Sequence, residues 1–201
     1  MIFEAEINFY KKILIQPGTI FDVGCRDDNI FYEISPKSDI HLFDPGINLK
    51  IQDKIKGLEN VHFNNIGLGN FEGTTDLHIC YGSILLRNIE RFKGMHKSVP
   101  VKVSTIKKYC EDNAIKNIHF LKIDTEGYDF EVMLGAGDMI NNIEYIEFEV
   151  FPYYANKKML PDIADYLKGW NIYYLGGKPM NLVATRKTLD LKKYDKRDNI
   201  Q

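Results

Sequence analysis

LKIDTEGYDFEVMLGA, residues 121 to 136, joins a short apolar run to an amphipathic one through a charged hinge. Lys122, Asp124 and Glu126 stand on alternate positions, so on a strand all three would face one side and emerge at its carboxyl end. Charge clustered on an otherwise apolar strand is costly unless it is paired or used. Gly127 frees the backbone for a sharp turn, and YDFEVMLGAG then reads as a helix with Phe130, Val132, Met133 and Leu134 among its apolar positions, ending near Gly135 or Gly137. In open α/β sheets ligands sit beyond the carboxyl ends of the strands, so this end carries weight.

Outward from that unit the same pattern repeats. TIFDVG (19–24) reads as a first buried strand after Pro17-Gly18, DIHLFD (39–44) as a second closed by Pro45-Gly46, and a third lies at about 60–66. The stretch from Gly73 to Tyr81 looks extended, Pro100 to Val103 pairs at an edge, and Ser104 caps a helix through about Asp112. IHFLKID (118–124) is a strong strand, and IEYIEFEVF (143–151) alternates with period two. A helix over 158–168 and strands over 170–175 and 181–185 complete a mixed sheet. Strands alternating with amphipathic segments give an α/β, Rossmann-like fold, a mostly parallel sheet with helices on both faces.

The 201 residues, 44% of them hydrophobic, suffice for one core, so residues 1–201 are expected to form a single domain with a charged, fraying tail over 189–201. Lys and Arg number 26 against 28 Asp and Glu, a net charge of -2 that offers no field to nucleic acid or to an anionic membrane. Cys25, Cys80 and Cys110 stand in no metal or disulfide spacing, and no apolar run reaches membrane-spanning length. Together with the acidic N-terminal stretch, this leads to the expectation of a soluble cytoplasmic protein with no protein-held metal.

Two further strand ends belong with Asp124. Asp22-Val23-Gly24 ends the first strand with an acid and a glycine that permits close backbone approach. Asp44 follows about 20 residues later, where an acid ending the second strand reaches the two hydroxyls of a ribose. The loop Gly24-Cys25-Arg26-Asp27-Asp28-Asn29 lacks the three glycines of a dinucleotide site, and its two acids would repel a pyrophosphate. For Asp22 or Asp44 alone, loop capping is as good a reading as ligand binding.

Residues 121–136 closely resemble the KxDxEGxE-x-xVLxGA signature of the FkbM family of S-adenosylmethionine-dependent methyltransferases. FDVG (21–24), HLFDP (41–45), VPVKVSTIKKYCED (99–112) and IEFEV (146–150) match its other motifs in order. The resemblance implies the seven-stranded class I methyltransferase sheet with a reversed last strand, and O-methylation of a hydroxyl, typically on a sugar or glycosylated product. By the same carry-over Asp22, Gly24, Cys25, Asp44, Pro45 and Asp124 bind S-adenosylmethionine, with Asp22 and Gly24 at its methionine end and Asp44 on its ribose. Asp124 and Glu126 border the transfer site and Glu149 looks into it. The chain departs from the family where Cys25 to Asp28 replace Ala-Asn-x-Gly, and where Asp44 stands for the usual Glu.

Methyl transfer requires alignment of the nucleophile and removal of its proton. Asp124 or Glu126 is the first choice of base, and His96 or His78 the second. A magnesium-like ion held by Asp124, Glu126 and Glu149 is an alternative way to acidify the hydroxyl, and Lys122 is as readily a structural bridge as a catalytic group. Tyr81, Tyr128, Tyr153 and Tyr154 are candidate stacking residues, and Arg87 and Arg91 candidate grips for an acidic acceptor. The acceptor, a small molecule or glycan, would be read by residues 71–98 and nearby loops, or with help from a partner subunit such as the second copy in a homodimer. The rival from another class is a degenerate, non-catalytic binding module whose altered 25–29 loop no longer holds the cofactor.

Overall fold

The computed structural model describes residues 4–28, 30–46, 50–80, 83–85, 97–150, 159–176 and 180–195. Seven strands form the main sheet: β1 (Thr19–Val23), β2 (Asp39–Phe43), β3 (Val61–Asn64), β8 (Ile118–Ile123), β9 (Ile143–Val150), β10 (Asn171–Gly176) and β11 (Met180–Thr185). Their order is β10-β11-β9-β8-β1-β2-β3, and β11 alone runs antiparallel to both neighbours. The expected mostly parallel sheet with its last strand reversed is what the chain forms. The order switches direction between β1 and β8, which opens a crevice at their carboxyl ends.

Successive strand residues feed two cores. Phe21, Val23, Leu121, Ile123, Ile146 and Phe148 pack with α4 (Ile106–Asp112), α5 (Asp129–Leu134) and α6 (Met159–Tyr166). Ile20, Ile40, Leu42, Phe120, Tyr145 and Val183 pack on the opposite face with α1 (Glu4–Ile13), α2 (Ile30–Ile34) and α3 (Ile51–Lys54). A 3-10 helix, Gly137–Asn142, follows α5. None of the described helices is long and apolar enough to cross a membrane.

Several local expectations are corrected. The 100–103 stretch belongs to a longer, eight-residue strand, β7 (Lys97–Ser104), in which Pro100 pairs on one side only among the described residues. It lies between β4 (Gly67–Leu68) and β5 (Gly73–Cys80), and β5 also pairs with β6 (Ser83–Leu85) in a separate four-stranded sheet. Ser104 is the last residue of β7, and the α4 cap is Thr105, whose hydroxyl accepts from the Lys108 amide. β9 is covered on both faces, so Glu147 is buried where period-two reading would expose it. Residues 189–195 do not fray: Leu189 and Leu191 pack on the second core, and the Tyr174 and Tyr194 amides donate to Lys192 and Ile172 carbonyls.

The join between β1 and β8 depends on one glycine. Gly24 adopts φ +86°, and a Cβ there would lie 1.9 Å from the Asp124 carbonyl oxygen. Its close approach is to the neighbouring strand end. Gly24→Ala is therefore expected to lower the unfolding free energy in urea by about 2 kcal/mol or more, since both clash and backbone strain oppose it. A loss under half that size would mean that the two strand ends separate easily.

Candidate active site

The parallel register sets Asp22 beside Lys122 and Lys122 beside Glu147, so three ionisable residues cross the sheet in one row on the face that α1 covers. The Lys122 ammonium lies 3.2 Å from Asp124 Oδ2 and 3.7 Å from Asp22 Oδ1. Further along, the Tyr10 hydroxyl donates to Glu147 Oε1 at 2.9 Å, and the Asn181 amide donates to Glu6. Burial opposes the charge on Lys122, but Asp22 and Asp124, then Glu147, outweigh it and raise its pKa, so the ammonium persists. Burial pushes Asp22 up to about 6 against the pull of Lys122, and lifts Glu147 well above the usual carboxylate range. One cation thus serves more carboxyls than it can neutralise.

Beyond this row lies a cleft of about 200 Å³ lined by Asp22, Gly24, Cys25 and Asp124 together with Arg26, Asp27, Asp28 and Lys122. Asp22 is 2% exposed and its Oδ1 accepts no hydrogen bond. The Cys25 thiol is buried, which raises its pKa and keeps it protonated. Arg26 adopts φ +50°, and its amide donates at 2.8 Å to Asp44 Oδ2 while Gly46 donates at 2.7 Å to Asp44 Oδ1. Asp44 therefore braces the loop after β1 from the end of β2. Pro45 sits inside the turn that the second of these bonds closes, and neither residue lines the cleft. Asp27 accepts from the Lys50 amide and Asp28 from the Ile30 amide, so both acids fasten the loop at the cleft's rim.

On the other side of Asp124 the chain turns out of β8 through Glu126, at φ +54°, and Gly127, at φ +94°. The strand ends at Ile123, so the alternation read through Glu126 stops short: Lys122 points into the buried row, Asp124 stands at the cleft mouth, and Glu126 occupies the turn. Asp129, fully buried at the start of α5, accepts from the Thr125 hydroxyl at 2.8 Å and from the Glu149 amide at 3.0 Å. It ties the turn to β9, and nothing in the sequence distinguishes it from an ordinary first-turn acid. Burial raises Asp129 to about 7 and, with Asp124, Asp129 and Glu126 nearby, Glu149 to about 9.

Among the described residues, the acidic, histidine and cysteine ligand atoms that lie as a set of three within 4.8 Å of one another are those of Asp39, His41 and His62. Asp124, Glu126 and Glu149 do not form such a set. His78 lies in β5 of the smaller sheet, and Tyr128 packs near Gly69 between that sheet and α5. His96, Tyr81, Arg87, Arg91, Tyr153 and Tyr154 lie outside the described residues.

A doubly wound sheet with its last strand reversed and an acidic cleft at the switch point places that cleft where open α/β sheets hold their ligands. Residues 19–172 match the model of the methyltransferase FkbM domain, and the chain belongs to that family. The chain is similar in fold to the crystal structure of an FkbM methyltransferase from Methylobacillus flagellatus KT, with a TM-score of 0.54 and 13% identity over 88% of this chain. The match spans 47% of that protein's chain, so this one accounts for about half of its length. No curated protein matches the sequence.

The raised Asp129 pKa has a signed consequence. Unfolded, the residue loses its proton near pH 4; folded, it keeps it to about 7, so the folded chain holds the extra proton between these values and stability falls as pH rises through them. Asp129→Asn should flatten that fall, as read by urea unfolding at a series of pH values. Parallel profiles for the two proteins would show that Asp129 is ionised throughout.

Proposed function

We propose that the chain is an S-adenosylmethionine-dependent O-methyltransferase acting in the cytosol on a hydroxyl, with a sugar or glycan as the acceptor class. The observation that carries this reading is the cleft at the switch point, lined by carboxylates of Asp22, Asp27, Asp28 and Asp124 and without a glycine-rich phosphate cradle. Its donor set fits a cofactor that bears an ammonium and a sulfonium and no phosphate. Asp22, whose buried Oδ1 accepts no hydrogen bond, is suited to the cofactor's amine. Asp44 keeps unused lone pairs on both oxygens after serving two amides, which leaves it able to accept from ribose hydroxyls.

When bound, the cofactor supplies a methyl group activated for in-line displacement. The protein's part is to align the acceptor and take its proton. Asp124 suits that task, since it is the carboxylate at the cleft mouth, 3.2 Å from the Lys122 ammonium. Glu149, raised by burial to about 9, is protonated at neutral pH and does not line the cleft. Glu126 occupies the strained turn between them and is the second candidate base.

The second reading, a binding module without catalysis, draws on the commitment of Asp44, Asp27 and Asp28 to backbone amides in the altered loop. Calorimetric titration with S-adenosylmethionine and S-adenosylhomocysteine separates the two. Under the enzyme reading the wild type binds both, Asp44→Ala loses affinity by about tenfold or more, and Asp124→Asn, saturated with cofactor, turns over sugar acceptors about 100-fold slower or worse. A folded wild type that binds neither compound would establish the module instead.

A further inference from the structure

At the opposite end of the sheet, the first residues of β2 and β3 bring together side chains far apart in sequence. His41 and His62 are register partners on adjacent parallel strands, and Asp39 precedes His41 by two, so all three stand on the face that α4 covers. His41 Nε2 lies 3.1 Å from Asp39 Oδ2 and His62 Nε2 lies 3.0 Å from Asp39 Oδ1, with the two imidazole centroids 4.9 Å apart. Ligands held at about 2.0–2.1 Å around a tetrahedral ion are about 3.3 Å from one another, close to the two histidine–carboxylate separations, and the three ligand atoms all lie within 4.8 Å of one another. Two imidazole nitrogens and a carboxylate make a donor set of the kind that zinc takes.

The hydrogen bonds behind His41 point the same way. The Asn64 amide nitrogen donates to the Leu42 and His62 carbonyls, which fixes its Oδ1 as an acceptor, and the Tyr109 hydroxyl donates to that oxygen at 3.1 Å. With its one hydrogen so used, Tyr109 accepts from His41 Nδ1 at 2.9 Å. That places the hydrogen of a neutral imidazole on Nδ1 and leaves Nε2 a bare lone pair facing a carboxylate oxygen. Two acceptors in contact are repulsive, and a cation between them removes the repulsion. His41 is held in this orientation by burial at 5% exposure, while the side chains of His62 and Asp39 are 45% and 49% exposed and give an ion a way in. A histidine ligand anchored through its other nitrogen is the usual arrangement at metal centres.

We propose that Asp39, His41 and His62 form a binding site for a borderline divalent cation of the zinc class, which clips the edge strand β3 to β2. The site is structural: it lies at the amino-terminal ends of the strands, on the far side of the sheet from the cleft, and leaves a fourth coordination position to solvent. Magnesium, which prefers oxygen ligands in an octahedron, is not its ion.

The test uses untagged full-length protein freed of metal by a chelator and titrated with zinc by calorimetry and with cobalt(II) by visible absorption. One equivalent should bind, the melting temperature should rise with zinc concentration, and the cobalt spectrum should show nitrogen and oxygen ligation without a thiolate band. His62→Gln and Asp39→Asn, both at half-exposed positions, should each weaken binding by about tenfold or more with the metal-free fold retained by circular dichroism. Zinc binding unchanged in both variants would overturn the proposal, as would equal binding of magnesium. So would an absence of zinc binding, with nitrogen-15 spectra showing His41 protonated on both nitrogens.

Discussion

The Lys122 ammonium is the one cation of the buried row that Asp22, Lys122 and Glu147 make across the sheet, and the arrangement of the cleft follows from it. An unpaired charge at this depth would cost several kcal/mol, so the strands on either side must supply carboxylates at the right register. β1 supplies Asp22, the residue just after β8 supplies Asp124, and β9 supplies Glu147. The same pairing that keeps the lysine tolerable thus sets β1 against β8, where the strand order reverses, and holds Asp124 at the edge of the resulting crevice. Removing the lysine from this row would leave buried carboxyls uncompensated, a change of about 3–5 kcal/mol for a pair of this kind. Gly24 completes the constraint from the backbone side by letting the two strand ends touch.

Most of the sheet was legible in the sequence because its strands are short apolar runs with turn residues between them. β1, β2, β8, β10 and β11 fall within a residue or two of the stretches that suggested them. What was not legible depended on partners. The small sheet exists only once residues 67–68, 73–80 and 97–104 meet; within it, among the described residues, Pro100 pairs with β5 alone, since β4 reaches only Val103 and Ser104. Residues 189–195 carry a charged composition typical of a tail, and only Leu189, Leu191 and Tyr194 reveal that it lies against β10.

The cleft was readable at its strand ends and obscure elsewhere. Asp22, Gly24, Cys25 and Asp124 line it as the motifs imply, whereas Asp44 and Pro45 act on the loop beside it. Lys122 contacts Asp124 and Asp22, the bridging geometry that one of its two readings described. Asp129 and Glu147 escaped notice because an acid in a helix's first turn, or at an alternate position of a strand, is ordinary until burial makes it costly. The pairing of His41 with His62 was invisible for a different reason: 21 positions separate them, and only the β2–β3 register makes them neighbours.

The reversed last strand also orders events in time. β10 leaves the ribosome before β11, yet β11 stands between it and the rest of the sheet, and the segment flanking β10 on its other side comes later still. Glu6 of α1 awaits Asn181 of β11, 175 positions downstream. A nascent chain can therefore assemble β1, β2, β3, β8 and β9 during synthesis but must keep one flank of that sheet open until β11 has emerged. Long-range closure of this kind is slow and leaves an unpaired edge exposed meanwhile. The contact that waits longest is the one that joins α1 to β11.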